Sequence, residues 1–137
     1  MKIRLDAGAY APTRAHGTDA GLDLYAMRDG VVPVGGSAIF ETGVHVALPH
    51  GTAGLLVARS GMNIYYGITS TGLIDEGYDG QIMVKLYNHG SHPYDVMAGE
   101  RISQLVVIPV RYEDVEIVTD LGQDSERGCA GFGSSGK

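Results

Sequence analysis

Residues 71–88 read TGLIDEGYDGQIMVKLYN. An apolar pair, Leu73 and Ile74, runs into Asp75, Gly77 and Gly80, and then Ile82, Val84 and Leu86 alternate with Met83, Lys85 and Tyr87. A period of two sends successive side chains to opposite faces of an extended chain, and glycine with aspartate suits a tight reversal. The stretch predicts a β-hairpin with a carboxylate and a tyrosine, Asp75 and Tyr78, on its turn.

The same rhythm extends outward in both directions. Val44, Val46 and Leu48 alternate with His45 and Ala47, a second strand. Between Lys2 and about Val118 the chain consists of short apolar pieces punctuated by glycine, proline, asparagine and aspartate. With 21 glycines, 5 prolines and no tryptophan in 137 residues, it reads as one all-β domain of short strands. Residues 105–110, LVVIPV, form an unbroken apolar run that predicts burial on both faces, within the sheet stack or against another subunit. Residues 60–66 offer the one short helix, with Ser60 as candidate N-cap. After Asp120 the sequence LGQDSERGCAGFGSSGK has five glycines and three serines in seventeen residues, which predicts a flexible arm, 121–137, after a β domain, 1–120.

The net charge is −6 and the ten basic residues are scattered, so the electrostatic footprint of a nucleic-acid binder is missing. One or two arginines still suffice for a nucleotide triphosphate. The single Cys129 cannot form an internal disulfide, MKIRLDAGAY has no signal-peptide character, and no apolar run reaches membrane-spanning length. The expectation is a soluble cytoplasmic protein that binds no membrane. His16, His45, His50, His89 and His92 show no metal-ligand spacing.

Four segments carry candidate chemistry, each with a plainer reading beside it. In ARSGM, 58–62, an apolar strand from Ala53 to Ala58 meets Arg59, Ser60 and Gly61 at a helix start; this is a phosphate cradle, or an N-cap beside a solvated arginine. In the 71–88 hairpin Asp75 is a candidate general base, with Gly72, Gly77 and Gly80 leaving room for a ligand, or the hairpin is an ordinary one around a core tyrosine. In GERISQL, 99–105, Ser103 and Gln104 interrupt an apolar strand and need partners, a ligand or backbone groups. In RGCAGFGSSGK, 127–137, backbone amides and Arg127 could wrap phosphates while Phe132 stacks on a base, an interaction of about 1–3 kcal/mol; composition alone favours disorder.

With AGLDLYA at 20–26, these segments form an ordered set of five that resembles the trimeric dUTP diphosphatase (dUTPase) family over almost the whole chain. The resemblance implies a jelly-roll-like β subunit, a homotrimer with active sites shared between subunits, and Mg²⁺-assisted hydrolysis of dUTP to dUMP and pyrophosphate. Such an activity limits uracil incorporation into DNA and supplies dUMP for dTMP synthesis. On the family pattern Asp75 is the general base and Tyr78 packs under deoxyribose, while the backbone of Gly72, Leu73, Ile74 and Asp75, and that of Met83, reads the uracil edge. Thr69 stands where some members place an asparagine near the base and joins the implied substrate-binding set. Arg59, Ser60, Gly61 and Gln104 match phosphate-binding positions; Arg127 would hold the γ-phosphate, Phe132 would stack on uracil, and Gly133, Ser134 and Ser135 would close over the phosphates. Asp23 would contact the magnesium through water, or is an exposed carboxylate at a strand end. Two rivals stand beside this reading: a dCTP deaminase driven by Glu76, and a non-catalytic nucleotide-binding regulator.

Overall fold

The computed structural model describes residues 1–122. Ten strands and one short helix follow one another: β1 (Lys2–Leu5), β2 (Gly21–Tyr25), β3 (Gly30–Val32), β4 (Ser37–Glu41), β5 (Val44–Ala47), β6 (Thr52–Val57), α1 (Ser60–Tyr66), β7 (Ile68–Ile74), β8 (Met83–Asn88), β9 (Tyr94–Val96) and β10 (Arg101–Pro109). The all-β, jelly-roll-like architecture is the one expected. A curled sheet of six strands runs in the order β2-β10-β6-β7-β8-β4, flanked by the pairs β1-β5 and β3-β9. Every pairing is antiparallel. The core inside the curl is built from alternate strand residues, among them Leu24, Ile68, Val84, Leu86, Ile102 and Leu105, with Ile82 entering it just before β8 begins.

β7 changes partner along its length. Its first part pairs with β8 through Ile68↔Asn88, Thr69↔Tyr87 and Ser70↔Leu86, and there the ladder stops. Its second part pairs on the other edge with β6, from Thr71↔Val57 to Ile74↔Gly54. The hairpin therefore opens toward its turn, and the edge of residues 71–74 that faces β8 has no ladder partner.

One local expectation is corrected, and one of two alternatives is set aside. The helix spans the residues predicted, but Arg59 is its N-cap, in extended geometry and without a side-chain cap bond, and Ser60 is the first helical residue. Gly67 ends the helix at a φ of +67°, where its amide reaches back to Asn63 and Met62 and where any side chain would collide with Gly90. The run at 105–110 is not buried on both faces in one chain. Leu105 is 1% exposed, but Val106, Val107, Ile108 and Val110 are only half-buried and Pro109 is exposed, because β10 is central in its sheet while only one face of that sheet meets the core.

Candidate active site

The expected site residues gather in two places. At the first, the register aligns Asp23 of β2 with Gln104 of β10, and Gln104 with Val57 of β6. Arg59, two residues past Val57, is thereby delivered beside Asp23, with Nε 3.4 Å from Oδ1. Arg101 approaches from the other side, Nη1 to Oδ2 at 3.3 Å, and its carbonyl accepts a bond from Arg59 Nη1 at 3.4 Å. Asp23 is 7% exposed and lies mid-strand, its backbone tied to Thr13; the exposed strand-end reading is overturned. Ser60 and Gly61 follow at the first turn of α1, where amides have no intrahelical acceptor in any helix. Gln104 lies flat over Gly21, where a Cβ would strike its side chain. Ser103 is buried and structural, bonded to Ser70 Oγ and to the Val57 carbonyl, each at 3.0 Å.

Arg59 Nε is buried and has no hydrogen-bond partner among the described residues. A buried, unsatisfied guanidinium nitrogen next to a second arginine is a costly arrangement, and an arriving oxyanion would relieve it. Among the described residues no three potential metal-ligating side chains gather, and both oxygens of Asp23 face guanidinium groups. Such a donor set does not fit a metal caged by protein. It fits an ion that keeps waters and phosphate oxygens as ligands, the habit of magnesium.

The second place is the mouth of the opened hairpin. Gly72, Leu73 and Ile74 lie on one arm and Met83 on the other, with Asp75 exposed at the rim. The turn is closed by a bond from the Tyr78 amide to the Asp75 carbonyl at 3.2 Å, with Gly77 at a φ of +85°. Tyr78 is exposed, against the core-tyrosine alternative, and its hydroxyl donates to the Gln81 carbonyl at 3.1 Å. Its ring lies over Gly80 so closely that a Cβ there would overlap it. A groove of about 600 Å³ beside the turn is lined by Ala53, Leu73, Asp75, Gly77, Val110 and Tyr112.

One chain does not bring the two places together. The β6–β7 register sets Asp75 level with Ala53, and Arg59 lies six residues further along at the opposite end, roughly 20 Å at strand rise. Thr69 is also at the far end of β7, bonded through Oγ1 to His89 Nε2 at 3.1 Å. Arg127, Phe132, Gly133, Ser134 and Ser135 lie outside the described residues.

Sequence reading passed over two groups. Arg101 lies within the 99–105 segment, but an arginine opening a strand gives no signal of its own; it stands opposite Tyr25 on β2, and only its side chain reaches Asp23. Glu76 was weighed only as a deaminase residue. Its carboxylate accepts bonds from the Tyr112 hydroxyl at 2.6 Å, His50 Nδ1 at 2.8 Å and the Gly51 amide at 2.8 Å, and these, the tyrosine foremost, hold its pKa down to about 2. A carboxylate so occupied is unsuited to shuttling protons to a cytosine ring.

The dUTPase family model matches residues 8–136. The chain is 41% identical over 140 residues to a deoxyuridine 5'-triphosphate nucleotidohydrolase of Clostridium acetobutylicum, covering 99% of this chain and 96% of that one. It superposes on the dUTPase of Staphylococcus bacteriophage 80alpha, solved with dUpNHpp, with a TM-score of 0.92 at 31% identity over 99% and 98% of the two chains. A D95N mutant dUTPase of phage phi11 of S. aureus, described as coordinating a structural Mg(II) ion, matches with a TM-score of 0.80 at 26% identity over 88% of this chain and 97% of that one.

Proposed function

The chain belongs to the dUTPase family, and from that premise we propose that it hydrolyses dUTP to dUMP and pyrophosphate at sites shared between the subunits of a homotrimer. The observation that carries this reading is the parting of β7 from β8 after Ser70↔Leu86, with Asp75 at the mouth. Unpaired strand edges offer amides and carbonyls at fixed spacing, and a uracil edge, with its carbonyl–imide–carbonyl pattern, can complete such a ladder as a third strand would. A wall of backbone leaves little room for a thymine methyl, and Tyr78 under the sugar leaves little for a 2′-hydroxyl.

Asp75 takes a proton from the attacking water. The water oxygen bonds to the α-phosphorus, the bond from that phosphorus to the bridging oxygen breaks, and pyrophosphate leaves. General-base assistance of this kind contributes about 10² to 10⁴ in rate. Arg59, Ser60, Gly61 and Gln104 receive the phosphate chain, and the unsatisfied Nε of Arg59 supports that assignment. Mg²⁺ arriving with the triphosphate would fix its phosphates and offset charge on the leaving group, with Asp23 reaching it through water. The arm, 121–137, would complete the site: Arg127 on the γ-phosphate, Phe132 on uracil, and Gly133, Ser134 and Ser135 over the phosphates.

Two features favour a shared site. Asp75 and Arg59 lie at opposite ends of one strand pair, so a compact triphosphate spans them only if a neighbouring subunit supplies one of them. Residues 111–122 leave the sheet as an exposed stretch outside regular secondary structure in which Val115 is 89% and Ile117 95% exposed; this alternating apolar pattern suits a strand laid on another copy.

The test is pyrophosphate release from dUTP, dCTP, dTTP and UTP with Mg²⁺, following ammonia in the dCTP sample. Release from dUTP alone is expected. Ammonia from dCTP would establish the deaminase, and no release from any nucleotide would establish a binder without catalysis.

A further inference from the structure

Asp75 has no side-chain hydrogen bond of its own among the described residues, so where its carboxylate points is set by the turn that carries it. The residue that fastens this turn is the next one. Glu76 Oε1 accepts from His50 Nδ1 at 2.8 Å, and Oε2 accepts from the Gly51 amide at 2.8 Å and the Tyr112 hydroxyl at 2.6 Å. The three donors come from two separate pieces of chain. His50 and Gly51 form the turn between β5 and β6, while Tyr112 stands just beyond β10 where residues 111–122 begin. The Gly51 peptide joins the two pieces, since its carbonyl accepts the Val110 amide at 2.9 Å.

We propose that Glu76 is a positioning residue: it locks the Asp75 turn onto the β5–β6 turn and, through Tyr112, onto the chain just beyond β10. Three bonds to one ionised carboxylate are stronger than neutral ones and fix both of its oxygens. A displacement of about 1 Å in a catalytic group can cost on the order of 10²-fold in rate, so a clamp one residue from the base governs turnover without touching substrate. Tyr112 gives the clamp a second effect. Tyr112 and the base are held to the same carboxylate, so the place where residues 111–122 leave β10 is fixed relative to Asp75.

Resting on dUTP turnover as proposed above, this assignment is tested with Glu76→Gln, Tyr112→Phe and the double variant, each as the assembled full chain. Tyr112→Phe removes a single hydroxyl from an exposed residue and keeps the variant folded. The expected result is a fall in kcat of about tenfold in each single variant, with KM for dUTP within about threefold, and a double variant no worse than Glu76→Gln. Amide hydrogen exchange over residues 75–80 should quicken in all three. Single variants with the parent's kcat, or losses that multiply in the double variant, would overturn the clamp, as would unchanged exchange at the turn. A parent with no dUTP turnover would sink the substrate reading instead, and the exchange comparison would still decide the clamp.

Discussion

Arg59 Nε lies 3.4 Å from Asp23 Oδ1 and is buried without a hydrogen-bond partner among the described residues. The charge is balanced by its neighbour while the donor is left unused. Asp23 thus holds two arginines, 59 and 101, at one end of the sheet, ready for an anion.

Replacing Asp23 with asparagine leaves both guanidiniums without their counter-charge. Breaking a fully buried pair costs about 3–5 kcal/mol, and here both arginines keep some contact with water, so a loss of about 1–3 kcal/mol in urea unfolding is expected. KM for dUTP should rise with it. Unchanged stability would mean that the two arginines do not depend on Asp23.

Asp75→Asn retains the shape of the turn and removes the proposed base. Pyrophosphate release should fall by about 10² to 10⁴, while binding of a non-hydrolysable dUTP analogue, measured by calorimetry, stays near that of the parent. Persistent turnover would require a different base.

Mixing subunits separates a shared site from a private one. Asp75→Asn and Arg59→Ala chains, each inactive alone, should regain activity when unfolded and refolded together, with roughly a quarter of the sites intact if assembly is random. A private site would give none.

Gly80→Ala places a methyl group against the Tyr78 ring. The ring must swing away, and the preference for dUTP over UTP should fall several-fold in competition assays, more than kcat on dUTP does. Equal preference before and after substitution would remove Tyr78 from sugar discrimination.

His45 couples pH to the binding hairpin. Nε2 meets Asp6 Oδ2 at 3.0 Å and Nδ1 meets the Asp79 carbonyl at 2.8 Å, with Arg4 Nη2 also 2.8 Å from Nδ1. The Asp6 bond above all, then the Asp79 carbonyl, raises its pKa above 6.5, and Arg4 opposes them. The folded value exceeds the unfolded one, so the stabilisation is complete below pH 6.5 and is lost as pH rises through the raised value. Urea midpoints should decline across that window in the parent and decline less in His45→Gln.

The hairpin was legible because Ile82, Val84 and Leu86 alternate, and a period of two has one physical meaning. The helix bounds were legible too, but its cap was not: Ser60 is the better capping residue by type, yet β6 ends one residue earlier and gives that position to Arg59. The 105–110 run left two alternatives because hydropathy alone does not say which side of a central strand lies within one chain, and only burial within a single chain's sheet stack is set aside by the structure. Asp23 and Arg101 are 78 positions apart, and no local pattern relates them; the pairing of β2 with β10 brings their side chains within reach. The same holds for Glu76, whose three donors come from positions 50, 51 and 112.

Asp75 and Arg59 lie at opposite ends of one strand pair, and under the proposed shared site this would make the rate a matter of dose. With sites shared as proposed, a lone chain would carry half of two different sites and a whole one of neither. On dilution below the concentration at which the subunits separate, turnover per chain should fall away rather than hold constant, and a cell making few copies would have less activity than its protein count implies.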